Sequence, residues 1–180
     1  MSVEITYFVH GTTTDNELGK ATGWLPGELS DLGIQQSKEL AELVKDEKFD
    51  IVICSDLQRA IDSAKFSFGD KYKIIQDKRL REANYGDYNG DEETFKNNLT
   101  DYIDKPFLNG ESYKQVENRI NEFLDYLRNE FDGKKVALVA HQAPQLAIEV
   151  LLNNKTWEQS IETDWRKIGK WQPGWEYKIK

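Results

Sequence analysis

Ile5-Thr6-Tyr7-Phe8-Val9-His10 and Lys135-Val136-Ala137-Leu138-Val139-Ala140-His141 decide how this chain is read. Each is a short, nearly continuous apolar run that stops at a histidine. Half-exposed antiparallel strands alternate polar with apolar residues; these runs do not, so both are expected to be strands buried on two faces. Two further runs, Asp50 to Cys54 and Lys73 to Ile75, read the same way. Helical patterns lie between them. Ile34, Ser37, Leu40, Ala41 and Val44 mark one helix face, and Val116, Ile120, Phe123, Leu124, Leu127 and Phe131 mark another, at spacings of three and four. Ser112 with Gln115 three residues on is a capping-box start, and Ser55 with Gln58 repeats the signal after the second strand. Alternating strands and helices of this kind predict an α/β three-layer sandwich: a mostly parallel central sheet with helices on both faces.

Residues 83–111 break the rhythm. They are rich in Asn, Asp and Gly, with weak helix signals around Thr94 to Tyr102, and are expected to form a small insertion or lid over one end of the sheet. A Pro173-Gly174 turn followed by Trp175-Glu176-Tyr177-Lys178-Ile179 suits an edge strand. At 180 residues the chain is expected to form a single domain, residues 1–180. Hydrophobic residues are 38% and charged residues 31%, an ordinary balance for a solvated globule. No apolar run approaches the roughly 20 residues of a membrane helix, and Met1-Ser2-Val3-Glu4 does not open an export signal. The single cysteine, Cys54, can form no internal disulfide, so a reducing, cytoplasmic home is expected. A net charge of -8 without a Lys/Arg block argues against a nucleic-acid surface, yet a few arginines focused in a pocket could still bind a small anion. The oligomeric state is not readable.

The two histidines of the chain, His10 and His141, both leave the ends of buried strands. Ligands of open α/β sheets bind at the carboxyl ends of the strands, so two such histidines face one crevice if their strands are neighbours. Arg59, in the first turn of the helix after Cys54-Ser55, can reach the same place. Pro144 suits the first turn of the helix after His141, which puts that histidine near a helix N-terminus, where N–H groups favour an anion. His10 opens His10-Gly11-Thr12-Thr13-Thr14-Asp15-Asn16, a run of short donors able to cradle phosphate oxygens. A histidine after a strand is often only a polar loop residue; it is the convergence of three strand ends that points to chemistry.

The chain resembles the histidine phosphatase superfamily, also called phosphoglycerate-mutase-like. That family's signature, Arg-His-Gly-Glu-Thr followed shortly by Asn, stands here as Val9-His10-Gly11-Thr12-Thr13 and Asn16. Similar landmarks follow in order: Thr22-Gly23-Trp24, Leu29-Ser30, Gly33, Gln36, Ser55-Asp56-Leu57-Gln58-Arg59-Ala60, Leu80-Arg81-Glu82, Gly86, Gly90, Gly110-Glu111-Ser112, Arg119 and Val139-Ala140-His141. The resemblance implies hydrolysis of a small phosphorylated metabolite in two steps. His10 would attack phosphorus and become phosphohistidine, and water would then release phosphate. Arg59 and His141 would bind the equatorial oxygens, with Thr13, Asn16, Thr22 and Gly23 as further phosphate-binding positions, and Glu82 would serve as acid and base. No metal or other cofactor is expected, since closely spaced His and carboxylate ligands are lacking.

One departure is conspicuous. The family's arginine before the nucleophile, which usually contacts the transferring phosphoryl group, is Val9 here; Lys20, Arg81 and Arg119 are the candidate substitutes by motif position. Thr12 also stands where the family often has an acidic or other polar residue. The alternative reading is therefore a catalytically weak or silent member that binds a phosphorylated ligand or a protein partner. A cysteine phosphatase is disfavoured, because Cys54 and Arg59 are five apart with no intervening glycine. A phosphoglycerate mutase is disfavoured by the short stretch between Glu82 and His141.

Overall fold

The computed structural model describes residues 2–69, 71–168 and 174–180. Five strands form one sheet: β1 (Val3–Val9), β2 (Ile51–Cys54), β3 (Ile74–Gln76), β4 (Lys135–Ala140) and β5 (Trp175–Ile179), in the order β3-β2-β4-β1-β5. The first four are parallel, and β5 runs antiparallel along the outer edge of β1. Among the described residues seven α-helices accompany them: α1 (Thr14–Glu17), α2 (Asp31–Leu43), α3 (Gln58–Phe68), α4 (Tyr113–Glu130), α5 (Gln142–Asn153), α6 (Trp157–Glu162) and α7 (Trp165–Ile168).

The continuous apolar strands are explained by what lies above and below them. Along β4, Ala137 and Val139 pack with Phe8, Ala64 and Phe68 on the α2–α3 side. Val136, Leu138 and Ala140 pack with Ile5, Ile120 and Phe123 on the α4–α5 side. Both faces are covered, as the lack of polar alternation requires. Helix α4 follows its sequence signals closely. Ser112 Oγ accepts from Gln115 N at 3.2 Å while Gln115 Oε1 accepts from Ser112 N at 2.7 Å, and Val116, Ile120, Phe123, Leu124 and Leu127 form its buried stripe. The expected capping box at Ser55 does not form. Leu57 occupies the N-cap of α3 without a side-chain bond, and Ser55 Oγ instead accepts from Leu57 N at 3.3 Å. Asp56, which could have capped, is drawn away by a bidentate pair with Arg81, both contacts at 2.7 Å.

Residues 83–111 hold no strand. They fold as 3-10 turns, Gly86–Tyr88 and Glu93–Tyr102, pinned by an aromatic cluster of Tyr85, Tyr88, Phe95, Tyr102 and Phe107. The expected edge strand at the C-terminus is β5; of the turn expected before it, Pro173 lies outside the described residues.

Two glycines let the loop after β1 lie flat on α2. Thr12 N donates to Gln36 Oε1 at 2.8 Å, and Ser30 N donates to the Thr12 carbonyl at 3.0 Å. A Cβ on Gly33 would stand 1.9 Å from that carbonyl oxygen, and one on Gly11 would stand 2.4 Å from the Gly33 oxygen. Neither obstacle is a movable side chain. Gly33→Ala should therefore destabilise the fold by about 1–3 kcal/mol, the usual cost of overpacking, and displace the loop that begins at His10. A urea midpoint unchanged from wild type would refute this.

Candidate active site

The register of β1 on β4 pairs Val9 with Ala140, so the next residue of each strand is a histidine at the same end of the sheet. His10 N continues the ladder by donating to the Ala140 carbonyl at 3.0 Å. The two rings lie 5.0 Å apart, centroid to centroid, at 60°. Tyr7 fixes the backbone beside them: its hydroxyl donates to the His141 carbonyl at 2.7 Å and accepts from His141 N at 3.1 Å.

His10 Nδ1 lies 2.7 Å from the Gly11 carbonyl, an oxygen that can only accept. The proton therefore belongs on Nδ1, and Nε2 keeps its lone pair. Arg59 Nε donates toward that Nε2 at 3.4 Å. Burial, then the charge of Arg59, pulls the His10 pKa down to about 3, and the same two causes hold His141 well below the ordinary histidine value. Both imidazoles are therefore neutral at physiological pH. His141 is fully buried, and both its ring nitrogens lack a hydrogen-bond partner among the described residues. Such a deficit is uncommon in folded proteins, and it leaves the ring able to bond a ligand.

Arg59 is 2% exposed, its guanidinium held by main-chain carbonyls. Nη2 donates to Gly23 O at 2.7 Å, and Nη1 to Leu25 O at 2.9 Å and Pro26 O at 3.4 Å. Gly23 thus serves the arginine through its carbonyl, at φ 55°, with no space for a Cβ against Asn89 Oδ1. Thr13 is fully buried and caps α1, its hydroxyl accepting from Asn16 N at 3.0 Å. Thr22 Oγ1 donates to Asp15 Oδ2 at 2.8 Å. Of the four expected phosphate-binding positions, Asn16 lines the cavity beside His10; Thr13, Thr22 and Gly23 do not, being spent on holding the surrounding loops.

Glu82 occupies the helix end that the sequence reading left for an anion. Oε1 accepts from Ala83 N at 2.8 Å and Ala143 N at 3.0 Å, and Oε2 accepts from Gln142 N at 3.2 Å. The N-terminus of α5 is thus already satisfied by a carboxylate of the protein itself. The Glu82 carbonyl is in turn held by Trp24 Nε1 at 2.7 Å and Arg119 Nη2 at 3.0 Å.

Beside these groups lies a cavity of about 1010 Å³ lined by His10, Val9, Asn16, Glu82 and Gln142, with Glu93, Thr94, Lys96, Asn97 and Leu99 contributing from the expected lid; Arg59 and His141, both buried, do not line it. That volume accommodates a metabolite-sized ligand. The substitutes expected for the arginine missing at position 9 are engaged elsewhere. Arg81 pairs with Asp56 and lies over the Trp24 ring, and Arg119 pairs with Glu111. Neither they nor Lys20 line the cavity. Arg166, Lys167 and Lys96 do, and sequence reasoning missed all three: a basic residue in the lid or near the C-terminus carries no positional signal of its own. Among the described residues no group of three or more His, Cys, Asp or Glu is placed to hold a metal ion.

The chain has relatives with named activities. The phosphoserine phosphatase 1 of Hydrogenobacter thermophilus is 27% identical to it over 149 residues, 77% of this chain and 71% of that one. The uncharacterized phosphatase PhoE of Bacillus subtilis is 32% identical over 149 residues, 79% and 72% of the two chains. The crystal structure of the alpha-ribazole phosphatase from Shigella flexneri shares the fold, with a TM-score of 0.77 at 24% identity, over 90% of this chain and 84% of that one. The sequence profile of the histidine phosphatase superfamily (branch 1) matches residues 7–169. With two histidines at adjacent strand ends and that match over most of its length, the chain belongs to the histidine phosphatase superfamily and is a hydrolase of the phosphatase class.

Proposed function

We propose that the protein hydrolyses the phosphomonoester of a small metabolite through a phosphohistidine on His10, in the cytoplasm. The observation that carries this reading is the pairing of an unprotonated His10 Nε2, met only by a long 3.4 Å contact from Arg59 Nε, with a buried His141 ring 5.0 Å away that has no partner among the described residues. The lone pair is a nucleophile, and the neighbouring imidazole is a donor awaiting an oxygen. Nε2 attacks phosphorus as the ester P–O bond breaks. Arg59 Nε–H and a His141 N–H stabilise the charge on the equatorial oxygens. Glu82, protonated on Oε2, the carboxyl oxygen that bears a single 3.2 Å bond, gives its proton to the departing alkoxide. As carboxylate it then takes a proton from water, whose oxygen attacks phosphorus while the P–N bond breaks. Inorganic phosphate leaves and His10 returns neutral. The free, buried thiol of Cys54 supports a reducing compartment.

The second reading, a weak or silent member that binds phosphorylated ligands or a protein partner, is favoured by Val9, which lines the cavity without offering a donor. Turnover of a generic phosphomonoester set against affinity for phosphate separates the two.

Rapid quench with labelled substrate in EDTA should trap acid-labile, base-stable phosphate on the wild type and none on His10→Ala. Equal labelling of the two proteins would remove His10 from the mechanism. Glu82→Gln should slow a sugar phosphate by roughly a hundredfold or more, within the range of general acid catalysis, and an activated aryl phosphate much less, because a stable leaving group needs no proton. Equal losses on both would deny Glu82 the role of acid.

The depressed His10 pKa also links folding to pH. The unfolded chain takes up a proton on this side chain near its ordinary value of 6.5, whereas the folded protein does so only at about 3. Stability should therefore fall as pH drops from 6.5 toward 3. In urea titrations at pH 7, 5.5 and 4.5, His10→Asn should show a slope against pH shallower by as much as one proton. Parallel slopes would mean that His10 ionises as freely in the folded state as in the unfolded one.

A further inference from the structure

Val9 leaves the space before the nucleophile without a cation, yet one cavity wall supplies it from the far end of the chain. Arg166, in α7, lines the same cavity as Val9 and His10. Its placement is built in. Asp164 is 3% exposed, and its carboxylate accepts from Arg166 N at 3.1 Å, from Arg166 Nη1 at 3.4 Å and from the side-chain amide of Gln142. Gln142 follows His141, and its own N–H bonds Glu82. Arg166 is therefore tied, through a buried carboxylate and one amide, to the helix end that holds His141 and Glu82. The guanidinium also lies over the Trp165 ring at 4.4 Å, a contact that fixes its plane. One long ion-pair contact engages Nη1, and Nε and Nη2 have no partner among the described residues. That leaves a planar fork of donors, the geometry that suits two oxygens of one phosphoryl group. Two further basic residues line the cavity: Lys96, from the lid, pairs with Glu93 at 3.1 Å, and Lys167, beside Arg166 in α7, carries a single-headed ammonium in place of a fork.

We propose that Arg166 takes the place of the arginine absent at position 9 and binds the transferring phosphoryl group. The inference rests on reading the His10 pocket as the phosphoryl site. Burial and the charge of Arg59 are the main causes that lower the pKa values of both histidines, and Arg166 adds a smaller part.

The test measures affinity for inorganic phosphate by calorimetry, and kcat/KM on p-nitrophenyl phosphate, whose alcohol offers little for a distant side chain to recognise. Wild type, Arg166→Gln, Arg166→Lys and the double variant Val9→Arg/Arg166→Gln are compared. Losing a charge-assisted contact should weaken phosphate binding roughly tenfold to a hundredfold in Arg166→Gln, with kcat/KM falling alongside. Arg166→Lys should keep part of the affinity, and the double variant should regain it. Wild-type phosphate affinity in Arg166→Gln overturns the proposal, even if turnover of a larger substrate suffers, because the contact would then be to the alcohol. A folded double variant without recovery overturns the claim of replacement. If the wild type turns over no ester yet Arg166→Gln loses phosphate affinity, the catalytic reading fails and the assignment of Arg166 stands. No measurable phosphate binding by wild type overturns both.

Discussion

Parallel pairing of β1 with β4 is the constraint on which the rest of the molecule depends. Because Val9 is paired with Ala140, two histidines far apart in sequence emerge side by side at one sheet end. The hydroxyl of Tyr7, one pleat back, reinforces this by satisfying both main-chain groups of His141. A phenol that donates to a carbonyl and accepts from an N–H of the same residue leaves that residue little rotational freedom, while its imidazole stays unencumbered. The site is rigid where the chain enters it and unsatisfied where a ligand would sit.

The electrostatics follow from what the protein spends its own groups on. A helix N-terminus beside an anion site could have been left open, but here Glu82 fills it. Arg59 is steered by the carbonyls of Gly23, Leu25 and Pro26 and presents only Nε to His10. Those commitments orient a carboxylate and a guanidinium without recourse to side-chain partners that would themselves need positioning. Burial then keeps both imidazoles neutral, the form in which one can attack and the other can donate.

The fold was legible in the sequence because the central strands β2 and β4 are covered on both faces, so apolar runs mark them, β5 shows the alternation of an edge strand, and α4 carries both its capping box and its apolar stripe. His10, Arg59, Glu82 and His141 were legible because strand ends and motif order point to them. Less could be read where a side chain's partner is remote in sequence. Thr13, Thr22 and Gly23 read as phosphate-binding positions because their types suit that task; Thr13 is instead buried at the cap of α1, Thr22 gives its proton to Asp15, and Gly23 turns its carbonyl to Arg59. Ser55 failed as a cap because the chain turns through Asp56 and Leu57 before α3 begins. Arg166 was invisible for the same reason: only the tertiary bond between Asp164 and Gln142 brings it to the cavity.

The last strand has a consequence for the chain's behaviour among other proteins. Antiparallel β5 covers what would otherwise be the bare flank of β1, with Val3 to Tyr7 paired residue by residue against Ile179 to Trp175. An uncovered flank would offer a row of free N–H and C=O groups to any extended peptide, and the strand it would recruit onto is the one that ends at His10. At the opposite margin β3 is three residues long, too short to template much. Quaternary discipline and the fidelity of the reactive centre are thus guarded by the same few residues. A chain that lost β5 would be exposed at once to self-association and to slippage of His10 out of register.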